Sequence, residues 1–288
     1  MQSKQRPVAV ELDAYFHRIG YSGDRTPTLA TLQAIQERHT QTIAFENLNP
    51  LLKQPVSLNL AALQQKLIHE KRGGYCFEQN LLLRAVLLAL GFEVKNLAAR
   101  VLWNLPAEII TPRSHMLLQV TVDGAPCLAD VGFGGLTLTT PIALVPDIEQ
   151  STSHEPFRLT KTDHIYILQA KIRQEWQSLY QFDLQEQQLP DYEMSNWYVS
   201  THPNSLFVNN LIVARPDFNC RYALQNNQFA VHYLDGQTER HILSTTAELR
   251  AALENYFGLN LGAITALGDD KAPAKVERML QQMIEKSS

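Results

Sequence analysis

The sequence predicts an α+β protein: a helical first third, an antiparallel sheet or barrel in the middle, and a mixed last third. Three observations carry this. Up to Gly91, apolar residues recur at helical spacing, as in Leu60, Leu63 and Leu67. Beyond Gly91, short runs with alternation or β-branched content follow one another at hairpin spacing. Near the C-terminus, strand-like and helix-like segments are interleaved. With 288 residues, 45% of them hydrophobic, the chain can bury a sizeable core in two or three structural units.

Taken in order, "VELDAYFHRIG" reads as a helix stopped by Gly20. "TPTLATLQAIQERHTQTI" reads as a second, with Thr26 as cap and Pro27 at the first helical position. "NLAALQQKLIHE" is a third. A fourth runs from about Cys76 to Leu90 and stops at Gly91. The strands follow as "EVKNLAARVLW", "HMLLQVTV", "CLADVGF", "HIYILQAKI" and "EWQSLYQFDL". Asp123-Gly124 is a strong hairpin turn signal, and Arg173-Gln174 is a second candidate turn. In the last third, "SLFVNNLIVARP", "RYALQ" and "QFAVHYLDG" read as strands. "TTAELRAALENYFG", ending at Gly258, and "KVERMLQQMIEK" read as helices.

Composition narrows the function classes. The net charge is -4 and there is no large basic block, which argues against nucleic acid as the main partner. The N-terminus lacks the apolar core of a signal peptide, and the longest apolar run, "NLLLRAVLLALGF", is interrupted by Arg84 and too short to span a bilayer. Three cysteines without CxxC spacing fit neither a disulfide framework nor a thiolate zinc site. The expectation is a cytoplasmic protein with free thiols, no membrane association and no metal.

The stretch "KRGGYCFEQN" brings chemistry into view. Gly73 and Gly74 allow a tight or left-handed backbone approach just before a helix. A thiol in the first turn of that helix meets the positive end of the macrodipole, which favours thiolate. At this point two readings of Cys76 stand side by side: a nucleophile on a rigid mount, or a packed cysteine beside a turn. A base is sought among nine histidines, and the setting of His115 singles it out. It opens a strand running into the Asp123-Gly124 turn, and the return strand carries Asp130 in an otherwise apolar run. With a two-residue loop, Val122 faces Ala125 and Leu117 faces Asp130, so His115 lies on the same sheet face as Asp130, as a diagonal neighbour. Asp130 would then accept the ring N–H of His115, and His115 would take the proton of Cys76. A structural His–Asp pair beside an unrelated cysteine remains the alternative.

"RGGYCFEQN", "SHMLLQV" and "LADVGFG" together resemble the arylamine N-acetyltransferase family. "YFHRIGYSG", "IAFENLNPLL" and "STHPNSLFVNNLI" agree in kind and order, so the resemblance extends from about residue 10 to about 260. It implies a helical bundle over 1–91, a β-barrel over 92–200 and an α/β lid over 201–288, with a papain-like Cys–His–Asp triad at Cys76, His115 and Asp130. The implied activity is transfer of acetyl from acetyl-CoA, a cosubstrate rather than a tightly bound cofactor, to an arylamine or arylhydrazine, with O-acetylation of N-hydroxyarylamines as an extension. On the same resemblance, Ser114 and Phe133 lie near the acyl donor and the acceptor pocket respectively. Gly132, Gly134 and Gly135 are candidates for close approach of the CoA pyrophosphate, with plain turn formation as the alternative. Phe45 and Phe207 are candidates for an aromatic pocket, with plain core as theirs. Glu46 and Arg72 are expected to pair and brace the cysteine loop. A cysteine-triad amide synthase or acyl hydrolase is the competing function.

Overall fold

The computed structural model describes residues 8–106, 108–265 and 272–286; the first seven residues of the predicted bundle and the last two of the predicted lid lie outside these. The helical part comprises α1 (Leu12–Ile19), α2 (Leu29–Thr42), α3 (Leu48–Leu51), α4 (Leu60–Gln64, continued by a π-helical turn through His69) and α5 (Cys76–Ala89), with a short strand β1 (Phe45–Glu46). Next come β2 (Glu93–Val101), β3 (Arg113–Val122), β4 (Ala125–Ala129), β5 (Ile142–Ala143), β6 (Phe157–Thr162), β7 (Ile165–Ile172) and β8 (Glu175–Phe182). The last part holds α6 (Leu189–Thr201), α7 (Leu206–Asn209), β9 (Ile212–Pro216), β10 (Cys220–Gln225), β11 (Gln228–Tyr233), β12 (Thr238–Ile242), α8 (Thr246–Asn255), α9 (Leu261–Thr265) and α10 (Ala272–Glu285).

The middle strands form one antiparallel sheet in the order β5-β4-β3-β2-β8-β7-β6. The chain after β5 returns to the far edge, where Pro146 bridges Leu159 and Gln150 bridges Phe157. The sheet therefore curls nearly closed, as predicted for a barrel. Its interior is filled by Leu97, Leu117, Leu128, Phe157, Leu168 and their neighbours. The outer face of β2 and β3 packs on α5, and β3 also on α6, with Met116, Leu118 and Val120 in the shared core. From His115 to Leu118, β3 is buried on both faces, and Met116, Leu117 and Leu118 are apolar without alternation; beyond them, half-buried Gln119 and Thr121 alternate with buried Val120 and Val122. A second antiparallel sheet, β1-β9-β10-β11-β12, packs against α8–α10 and takes its edge strand from the helical part.

The hairpin register is the one expected: Val122 pairs with Ala125, and Leu118 with Ala129. Asp123 and Gly124 both take positive φ, as do Arg173 and Gln174 at the other predicted turn. Two local readings change. Thr28, not Thr26, caps α2, accepting from the Thr31 N–H, because the Thr26 hydroxyl and N–H are already bound by Asp24. The front of "SLFVNNLIVARP" is a helical turn rather than strand. Ser205 caps it, and Asn47 ties down the carbonyls of Phe207 and Asn210. The helix α6 was not foreseen.

Candidate active site

Cys76 is the first residue of α5, and the helix N-terminus is built from buried polar contacts. Glu78 reaches back to the Tyr75 N–H at 3.0 Å, as in a capping box, and pairs with Lys66 at 2.7 Å. Both Gly73 and Gly74 serve close approach, and neither takes a left-handed conformation. A Cβ on Gly73 would lie 2.1 Å from the Ala44 carbonyl oxygen, and one on Gly74 would lie 2.7 Å from the Glu78 carboxylate.

Arg72, in the loop that leads to Cys76, pairs with Glu46. Arg72 donates to Glu46 at 2.7 Å and to Asn49 at 2.8 Å, and Glu46 accepts from the Leu48 N–H at 2.6 Å. Burial would raise the Glu46 carboxyl, but Arg72 and Lys66 outweigh it and hold the group below its usual range. Removing one partner of such a pair strands the other charge. Arg72→Ala is expected to cost about 3–5 kcal/mol of stability, with activity falling alongside. A thermal melt unchanged from wild type in an inactive variant would remove the bracing role.

His115 stands where β3 departs from regular pairing. Ala99 faces His115 but Arg100 faces Arg113, so Ser114 is an extra residue in the strand. Its N–H turns to the Pro112 carbonyl, and its own carbonyl oxygen lies 3.6 Å from Cys76 Sγ, within reach of an S–H donor. The ring of His115 directs Nε2 to Asp130 at 2.7 Å. Asp130 is fully buried and receives three further donors: Tyr180 Oη at 3.0 Å, Asn80 Nδ2 at 3.0 Å and the Gly132 N–H at 2.8 Å. Burial opposes ionisation of this carboxyl, yet His115 and these hydrogen bonds pull its pKa below the ordinary value.

The His115 ring shows the mirror-image balance. Burial disfavours its charge, but Asp130 on one side and Cys76 on the other push the pKa up to about 10. Unfolded, the ring would titrate near 6.5. Between these values the folded chain holds a proton that the unfolded chain has lost. The stability contributed by His115 is therefore complete below about pH 6.5 and declines as pH rises through about 10. Urea midpoints measured across this window should fall for wild type and fall less for His115→Gln; parallel curves would contradict the pairing.

The other sequence-predicted residues fall into two groups. Phe133 packs edge-on against His115 and Tyr180, at ring-centroid distances of 5.2 and 5.1 Å. Gly132 faces α5, where a Cβ would meet the Cys76 Cα at 2.6 Å, so its missing side chain serves helix packing. Phe45 and Phe207 meet edge-on at 5.8 Å, Phe207 also contacts Tyr75, and a Cβ on Gly134 would meet the Phe45 ring at 3.5 Å. Gly135 has open space where a side chain would be.

Sequence reasoning missed Asn80 and Tyr180. Asn80 lies four residues after Cys76, on the same helix face, a signal that was available. It also donates to the Met116 carbonyl and accepts from the Val131 N–H, tying the Asp130 loop to α5. Tyr180 depends on β8 pairing with β2, which no local pattern specifies. Among the described residues, no helix is long and apolar enough to cross a membrane.

Comparison with known proteins agrees with this geometry. A sequence model of a family described as N-acetyltransferase matches residues 28–266. The arylamine N-acetyltransferase of Mycolicibacterium smegmatis is 45% identical over 259 residues, covering 88% of this chain and 94% of the relative. A Salmonella typhimurium relative named arylamine N-acetyltransferase / N-hydroxyarylamine O-acetyltransferase is 37% identical over 255 residues, covering 88% and 90%. The structure of the Mycobacterium marinum arylamine N-acetyltransferase in complex with CoA superposes with a TM-score of 0.89 at 38% identity, covering 95% of this chain and 99% of that one. With a matching family model over most of its length and relatives this similar across nearly the whole fold, the chain belongs to the arylamine N-acetyltransferase family.

Proposed function

We propose that the protein carries acetyl from acetyl-CoA to an arylamine or arylhydrazine, and to the oxygen of N-hydroxyarylamines, through an acetyl-Cys76 intermediate. The observation that carries this reading is the buried His115–Asp130 pair at 2.7 Å, beside a cysteine at the start of α5. Nε2 is taken up by Asp130, which leaves Nδ1 as the nitrogen that serves Cys76. The thiolate attacks the thioester carbonyl. The tetrahedral intermediate collapses, the bond to the CoA sulfur breaks, and CoA leaves with the proton from His115. The amine then attacks acetyl-Cys76, His115 Nδ1 takes its proton, and the Cys76 thiolate departs from the acetylated product. One thiol replaces another in the first half-reaction, so little energy is lost in storing the acetyl group. Arylamines are weakly basic and stay largely uncharged near neutral pH, with the lone pair free to attack.

Phe133, beside His115, is assigned to the acceptor pocket, and Phe45 and Phe207 to its aromatic wall. Ser114 and the turn at Gly134 and Gly135, open at Gly135, are assigned to the donor side. The division into bundle (1–91), barrel (92–200) and lid (201–288), and a cytoplasmic location, belong to the same reading.

The test is intact-protein mass spectrometry with acetyl-CoA alone and then with an aminobenzoate. One acetyl group on Cys76, discharged by the amine into an acetylated product, is the expected result. Acetylation that decays equally fast without amine makes the protein a hydrolase. A reactive Cys76 that refuses acetyl-CoA points to the larger donors of an amide synthase.

A further inference from the structure

Of the buried polar groups that the acetyl-transfer steps leave unused, one set forms a continuous chain ending just ahead of Cys76. Gln79 lies on α5, three residues after Cys76, and is fully buried. Its Nε2 lies 3.1, 3.0 and 3.2 Å from the carbonyl oxygens of Ile43, Ala44 and Gly74. An amide end that meets three carbonyls must be its nitrogen, since an oxygen there would face three acceptors. The Oε1 end therefore points the other way, where His39 Nε2 lies at 2.6 Å. An amide oxygen only accepts, so His39 Nε2 must carry a proton. On the far side of the ring, Nδ1 lies 2.8 Å from Tyr15 Oη, and a neutral ring protonated on Nε2 accepts there. Burial holds the pKa of this histidine down to about 4, in keeping with a neutral ring.

We infer that Gln79 is a positioning residue that fixes the peptide ahead of Cys76, and that His39, oriented by Tyr15, keeps the Gln79 amide in the one orientation that can do so. Gly74 is the last residue but one before Cys76, and its carbonyl is held by two donors, Gln79 Nε2 and the Glu46 N–H at 3.1 Å. Its N–H in turn binds the Ala44 carbonyl at 3.3 Å. Gly74 is thus held through both its carbonyl and its N–H, one peptide ahead of the one that enters Cys76, and the direction of the first N–H groups of α5 is set with it. Were the His39 ring protonated on Nδ1 instead, its bare Nε2 would face Gln79 Oε1. The amide would have to turn, placing its oxygen against three carbonyls. The chain of four groups therefore has a single satisfied arrangement. The inference rests on Cys76 as acetyl carrier.

The tautomer of His39 is read first, in wild-type protein labelled with heavy nitrogen, from the ring correlations at about pH 7. A neutral ring protonated on Nε2 is expected; a proton on Nδ1, or on both nitrogens, overturns the inference. The rate of acetylation of Cys76 in a single turnover is then compared in Gln79→Met, His39→Leu and the double variant. Gln79→Met should slow acetylation about tenfold while still unfolding cooperatively, because a displaced nucleophile loses rate without losing fold. His39→Leu should also be slower, and the double variant no slower than Gln79→Met, since His39 acts through Gln79. A folded Gln79→Met that acetylates at the wild-type rate, or losses that multiply in the double variant, overturn it. If Gln79→Met does not fold, Tyr15→Phe replaces it: acetylation about two- to fivefold slower, with His39 moving toward the Nδ1–H form, is expected. An unchanged rate and tautomer overturn the inference. A wild-type protein that never acetylates Cys76 overturns the carrier assignment and this inference together, whereas normal wild-type acetylation with an unaffected Gln79→Met overturns this inference alone.

Discussion

Replacing Cys76 with alanine is expected to abolish acetyl transfer, by a factor of at least about 10⁴, while leaving the fold in place. The thiol is the group that would form the covalent intermediate, and neither remaining cysteine can substitute. Cys127 lies in β4 and Cys220 in β10, both buried, and burial raises both thiols. The fold should tolerate the change because Cys76 sits at the first position of α5, where alanine is a good helix former and the glutamate contact to the Tyr75 N–H is untouched. Product formation from acetyl-CoA and an arylamine, measured beside a circular dichroism melt, decides it. Turnover within a factor of a few of wild type would mean that the acetyl group never rests on this residue.

Asp130→Asn should come second, with a loss of about 10⁴-fold and a folded protein. The argument is one of counting. The carboxylate accepts four donors, two on each oxygen: His115 and Tyr180 on Oδ2, Asn80 and Gly132 on Oδ1. An amide has one oxygen, so two donors must lose their acceptor or turn. If the amide nitrogen takes the Oδ1 side, it faces the Gly132 N–H, which cannot rotate. On the Oδ2 side, the Tyr180 hydroxyl can turn, and His115 can accept on Nε2 by moving its proton to Nδ1. That second arrangement costs less, and it places a proton on the nitrogen that must receive one from the nucleophile and the amine. Binding of acetyl-CoA should persist while acetylation of Cys76 stalls. A variant acetylated at the wild-type rate would reduce Asp130 to a packing carboxylate.

How much of this could be read from the chain depends on how local its cause is. The β3–β4 register was legible because Asp123-Gly124 fixes the turn, and a fixed turn fixes every pair behind it. The approach of His115 to Asp130 followed from that register. Nothing local announces that Ser114 is an extra residue in β3, or that Leu179 is one in β8, just before Tyr180. The first arises where β2 meets β3 and the second where β8 meets β7, and both pairings are set by the nearly closed sheet as a whole. The helix α6 escaped notice for a different reason. Its apolar residues do not form one stripe: Tyr192 and Val199 are buried, while Met194 and Trp197 are 76% and 66% exposed. The strand β12 is mostly exposed along its length and shows no alternation to read. The triad roles are read from the hairpin register, and the family resemblance favours them over a structural His–Asp pair; Tyr180, which completes the support of Asp130, depends on strand pairing that no local pattern specifies.

The groups that surround Cys76 are scattered along the chain in a way that bears on its synthesis. The cysteine and its helix are made early, His115 and Asp130 roughly forty and fifty residues later, and Tyr180, the last of the groups that hold Asp130, after a further fifty residues. A ribosome-bound chain that has just completed α5 carries a cysteine with no base, no carboxylate and no sheet to dock on. On the proposed mechanism, the site is complete only once β8 has paired with β2, so the growing polypeptide passes through its most exposed stage before Cys76 gains the groups that would make it a nucleophile for cellular thioesters.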